Sequence, residues 1–91
     1  MTDPQAVLAR QIAAVVTAHP CVARLDGGPL NAIATYLPDE RLVGVFLAER
    51  IEVGVVLRLV RPLPGVLSEL RAEVSMLTGG VPVDITVADV E

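Results

Sequence analysis

The chain is expected to fold as an α+β two-layer sandwich in the order α-β-β-α-β, with a small mixed three-stranded sheet and two helices packed on one face. Three observations predict this. Apolar residues recur at helical spacing before Pro20 and again after Pro62 and Pro64, and the stretch Arg41 to Val60 changes to a period of two. Alternation then returns from Val81 to Val90. The length of 91 residues makes residues 1–91 one domain, large enough for a single core.

The first helix starts with Thr2 or Asp3 as its cap and Pro4 in its first turn, where the missing N–H has no partner to lose. Leu8, Ile12, Val15 and Val16 share one stripe, and Arg10, Gln11, Ala14 and Thr17 face away. Pro20 disfavours helical geometry in its predecessor, so the helix stops near Ala18 or His19. Val22 to Leu25 is short and extended in character, and Asp26-Gly27-Gly28-Pro29 has turn chemistry. Leu30 to Leu37 fits either a short helix or an extended segment.

From Arg41 the pattern is that of a hairpin. Val43, Val45 and Leu47 on one strand, and Ile51, Val53, Val55, Leu57 and Leu59 on the next, form the expected helix-facing rows. The opposite rows are mixed: Leu42, Gly44, Phe46 and Ala48, then Glu52, Gly54, Val56, Arg58 and Val60. Pro62 and Pro64 open a second helix with Val66, Leu67, Leu70, Val74 and Leu77 on one face, and Gly79-Gly80 closes it. In the last strand Val81, Val83, Ile85 and Val87 point inward, and the crossover to it should be right-handed and parallel. Pro82 and Asp84 look like protection of an exposed edge.

Composition excludes several classes. Hydrophobic residues make up 53% of the chain, yet the longest apolar run is Leu42 to Ala48, far short of the roughly 20 residues that cross a bilayer, so direct membrane insertion is not expected. Met1-Thr-Asp-Pro lacks the order of a secretory signal, and Cys21 is alone, so the chain reads as cytoplasmic. Net charge is −4, all seven basic residues are scattered arginines, and only Tyr36 and Phe46 are aromatic. Neither a basic stripe nor a stacking platform results, so nucleic acid is not an expected ligand.

The chain also carries the runs Val22-Ala-Arg-Leu-Asp-Gly-Gly28, Ile33-Ala-Thr-Tyr-Leu-Pro38, Leu42-Val-Gly-Val45, Pro62-Leu-Pro64 and Gly79-Gly-Val-Pro-Val-Asp-Ile85. In order and spacing they resemble the alkaline shock protein family, small Gram-positive proteins linked to envelope stress, in its Arg-rich high-GC branch. The likeness spans about Ala6 to Val90. It implies a non-enzymatic cytoplasmic protein that self-associates and is brought to the membrane periphery by a membrane-anchored homologue. No catalytic residue is implied.

The chemistry-bearing residues are few. His19-Pro20-Cys21 holds an imidazole and a thiol close together, but no third group to orient a base is evident, and a helix end explains both. One His and one Cys fall short of a zinc site. No catalytic residue, cofactor or metal is therefore expected. Gly27, Gly28 and Asn31 would present backbone N–H groups to a small anion if a helix began at Pro29. Glu69 and Glu73 read as a solvated face of the second helix. Leu42, Phe46, Val56 and Val60, on the outer row of the hairpin, would form one apolar patch if the strands pair in register, and such a patch marks an interface; this face or the edge of the last strand would join copies in a homo-oligomer or dock on a membrane-anchored homologue.

Overall fold

The computed structural model describes residues 3–91. It comprises α1 (Pro4–Ala18), β1 (Val22–Leu25), β2 (Ala34–Tyr36), β3 (Arg41–Val43), β4 (Val45–Leu47), β5 (Ile51–Leu57), α2 (Leu63–Thr78) and β6 (Val83–Val90). The carboxylate of Asp3 caps α1 by accepting the Gln5 N–H at 2.9 Å, and the alternative cap, Thr2, lies outside the described residues. The buried stripe is Ala6, Ala9, Ile12 and Val16, with Leu8 and Val15 on its flanks. Pro64 sits in the first turn of α2, and Gly79 ends that helix at φ 69° with its N–H on Ser75 O at 3.1 Å.

The fold is α+β, with both helices on one face of the main sheet. Ala9, Ile12 and Val16 of α1 and Val66, Leu70 and Val74 of α2 share one core with Val45, Ile51, Val53, Val55 and Leu57. The sheet has a fourth strand, β1, beyond the three that periodicity predicts, and β2 and β3 form a separate antiparallel ribbon. Strands of three or four residues are too short to show a period, which is why Leu30 to Leu37 read ambiguously. Arg10 of α1 tethers the ribbon connection through Glu40, Nε to Oε1 at 3.1 Å.

Strand β5 is the centre of the sheet. On one side β6 runs parallel to it from Ile51↔Val83 to Leu57↔Val90. On the other side two antiparallel partners share its length: β4 pairs Val45↔Val53 and Leu47↔Ile51, and β1 pairs Leu25↔Val55 and Val22↔Leu57. The exchange takes place at Gly54. Its N–H donates to Gly44 O at 2.9 Å and its carbonyl accepts the Asp26 N–H at 2.8 Å, while the Gly44 N–H donates to Ile33 O at 2.7 Å.

Those bonds explain why the first hairpin strand is broken. Gly44 lies at φ 96°, a conformation that side chains other than glycine's resist, and it divides the run into β3, paired with β2, and β4, paired with β5. The expected inner row is reset there: Leu42 packs against the core in place of Val43. Leu59 is also exposed, because β5 ends at Leu57.

A methyl group on Gly54 would overlap the Asp26 carbonyl oxygen, which is backbone and has no freedom to move aside. Gly65, in the first turn of α2, has nothing within 4 Å of the same position. Gly54→Ala should therefore destabilise the fold by about 3 kcal/mol, the upper end for overpacking, whereas Gly65→Ala should stabilise it by about 0.5 to 1 kcal/mol. Urea denaturation midpoints measured side by side check both signs.

Candidate functional site

The outer face of the sheet does not carry the four-residue patch. Phe46 is 38% exposed and faces Glu52 across the hairpin, but Val56 is 0% exposed. Leu42 has turned to the core, and Val60 is 69% exposed but lies beyond the end of β5. Along β5 the five steps from Glu52 to Leu57 already span about 17 Å, so Phe46 and Val60 belong to opposite ends of the sheet. The turn segment leading to Ile33 lies over the outer face, with Ile33 Cδ1 3.3 Å from where a Gly54 Cβ would stand, and two residues on Val56 is buried.

What stays open at the hairpin end is a shallow hollow of about 500 Å³ lined by Phe46, Ala48, Glu49, Arg50 and Glu52. Its one cation is already engaged. Arg50 grips Asp84 of β6 through two bonds of 2.7 Å, Nε to Oδ2 and Nη2 to Oδ1. Leu30, Tyr36 and Met76 are also exposed, and Tyr36 lies 5.6 Å from the Arg41 guanidinium.

The turn at Asp26 is filled from within. Asp26 Oδ1 accepts the Gly28 N–H at 2.8 Å, the Asn31 N–H donates to Gly28 O at 2.9 Å, and residues 29–31 form a turn rather than the start of a helix. The Asn31 side chain sits where a Gly27 Cβ would be. Gly27, Gly28 and Asn31 are thus brought together, but a carboxylate already holds the N–H that an anion would need.

His19 is buried at the end of α1, and both its nitrogens are occupied. Nδ1 accepts the Cys21 N–H at 3.0 Å, which places the ring proton on Nε2, 3.1 Å from Glu69 Oε1. The other oxygen of Glu69 is held by Arg61. No lone pair of the ring remains for the Cys21 thiol, so this pair is not a nucleophile with its base. Glu69 lies on an exposed face, as expected, yet it ties α2 to the end of α1, whereas Glu73 is partly buried, with its Oε2 unbonded. Helical spacing put Glu69 outside, but its partner lies 50 residues away, and no local pattern could announce it.

Among the described residues no group of three His, Cys, Asp or Glu side chains is placed to hold a metal ion, and no helix is long and apolar enough to cross a membrane. Searches against protein-family models, curated proteins and solved structures gave no match.

The feature that sequence reasoning undervalued is the rim of the sheet. β6 is its longest strand and pairs only with β5 among the described residues. Asp84, expected to guard that edge, has its charge balanced by Arg50 from the hairpin turn, 34 residues earlier.

The ion pairs set a pH dependence. The hydrogen bond from Arg61, then that from His19, holds the Glu69 carboxyl below its ordinary 4.5, and the bond from Arg50 holds Asp84 below its ordinary 3.8. A carboxyl depressed in the folded state contributes stability that is complete above its unfolded pKa and lost as pH falls through the folded one. The unfolding midpoint should therefore be insensitive to these two groups above about pH 5 and fall below it, and Glu69→Gln should flatten part of that fall. Cys21 is 1% exposed, so a thiol reagent should label the native protein only at the rate at which it opens, and rapidly in denaturant.

Proposed function

We propose that the chain is a protein-interaction module that self-associates, acting in the envelope or alkaline stress response that its resemblance to the alkaline shock proteins implies. In this reading it performs no catalysis and works in the cytoplasm. A membrane-anchored homologue is the partner that would bring it to the membrane periphery. The observation that carries the reading is the open edge of β6: eight residues of strand at the rim of a sheet, with no strand beyond them among the described residues. A row of unpaired N–H and C=O groups on a long edge is a template for another chain. The exposed Phe46 at the hairpin end adds apolar surface of the kind interfaces use.

Light scattering behind a sizing column at micromolar concentration tests this directly. The expected result is a mass above that of one chain, falling on dilution. A mass of one chain at every concentration would refute self-association.

A further inference from the structure

Residues Val83, Ile85 and Val87 belong to the core-facing row of the sheet, yet they remain half-buried, while their neighbours Ile51, Val53 and Val55 on β5 are buried. The difference is position: among the described residues no strand lies beyond the rim to complete their packing. The backbone directions follow from one bond. The Ile51 N–H donates to Pro82 O at 2.8 Å, so the Pro82 carbonyl points into the sheet. Because the direction alternates along a strand, the N–H and C=O of Asp84 and Thr86 also point inward, and those of Val83, Ile85 and Val87 point out of the rim.

We infer that β6 pairs antiparallel with β6 of a second copy of this chain, about a twofold axis through Ile85. This rests on the self-association proposed above and names its surface. The register is self-complementary. Ile85 meets Ile85 of the second copy, Val83 meets its Val87, and each of these residues exchanges an outward N–H and C=O with its opposite. On the other face Asp84 meets the second copy's Thr86, a hydroxyl that can donate to the carboxylate. The apolar row of each core then runs on into the next, and the two sheets become one.

Charge selects this register over its neighbour. The neighbouring register that keeps outward groups opposite one another, about an axis through Asp84, would set that carboxylate against the second copy's Asp84, and like charges directly opposite repel. About Ile85 no two charges meet, and Asp84 is already balanced by Arg50 of its own chain. The usable edge also ends where this register ends. The pairing with β5 shifts between Val55 and Val56, leaving Ala88 without a partner, and Asp89 Oδ1 takes the Val90 N–H at 2.8 Å. A bulge of this kind breaks the template beyond Val87.

Thr86 reports the register, because its side chain lies on the outer face and is only half-buried. Thr86→Asp places a carboxylate against the second copy's Asp84 in both halves of the pair, and should weaken association by about tenfold or more at low salt. Thr86→Lys places an ammonium there and should leave association intact or tighten it. Sedimentation equilibrium on the full chain reads both, with circular dichroism to show that each variant is folded. Amide exchange on the unaltered chain supplies a measurement that needs no variant: the N–H groups of Ile85 and Val87 should be protected only at concentrations where the dimer forms. A folded Thr86→Asp that associates like the parent, or fast exchange at Ile85 and Val87 in the associated state, would overturn this pairing and leave self-association standing. A parent chain that never associates would overturn both.

Discussion

Every strand that meets the near side of β5 depends on the backbone of Gly54. Its N–H and carbonyl serve two different segments, Gly44 of β4 and Asp26 at the end of β1, so one strand edge is shared between two short antiparallel partners. That sharing works only if the Asp26 carbonyl lies in the space where a side chain would begin, and glycine alone leaves that space empty. Gly44, at φ 96°, supplies the complementary bend, since the chain must leave β4 there and enter β3. Two glycines ten residues apart thus set the strand connectivity, and the apolar rows fill in around it.

From this junction follows the distribution of exposed surface. The segment from Asp26 to Ile33 is held against the outer face by the Asp26 to Gly54 and Gly44 to Ile33 bonds, so the outer face is closed in its middle and open at the hairpin end. One long edge of the central strand is consumed by β4 and β1. The opposite side is extended by β6, and the free rim moves out to that strand. The asymmetry makes the rim, rather than the hairpin face, the larger surface still able to form backbone hydrogen bonds.

The polar residues of the chain are spent on holding elements together. His19 joins the end of α1 to the start of β1 through the Cys21 N–H and to α2 through Glu69, with Arg61 on the far side of the same carboxylate. Arg58 bonds the carbonyl of Val22 at 2.8 Å, and Arg24 reaches Glu91 at 2.6 Å. A buried imidazole with both nitrogens engaged is a structural member, and its neighbouring thiol packs as a small apolar group. The same use of arginine changes the character of the rim: the Arg50 to Asp84 pair balances a guarding charge with an opposite one.

The two helices, their caps, the apolar faces of α2 and β6 and the hairpin partners β4 and β5 were legible in the residues alone. Each is written in a period of 3.6 or 2 over enough positions to be read, or in a Pro or Gly at a helix end. Phe46 was also legible as exposed apolar surface. The burial of Val56, the turning of Leu42 to the core and the separation of Phe46 from Val60 were not, because they depend on a loop crossing a sheet and on a backbone angle at Gly44. Nor could local pattern join His19 to Glu69 or Arg50 to Asp84, whose members lie 50 and 34 positions apart. Sequence periodicity determined which residues avoid water, since that follows from side-chain chemistry at fixed spacing. Only the tertiary arrangement decided which of them still meet it, because cover comes from segments distant in the chain.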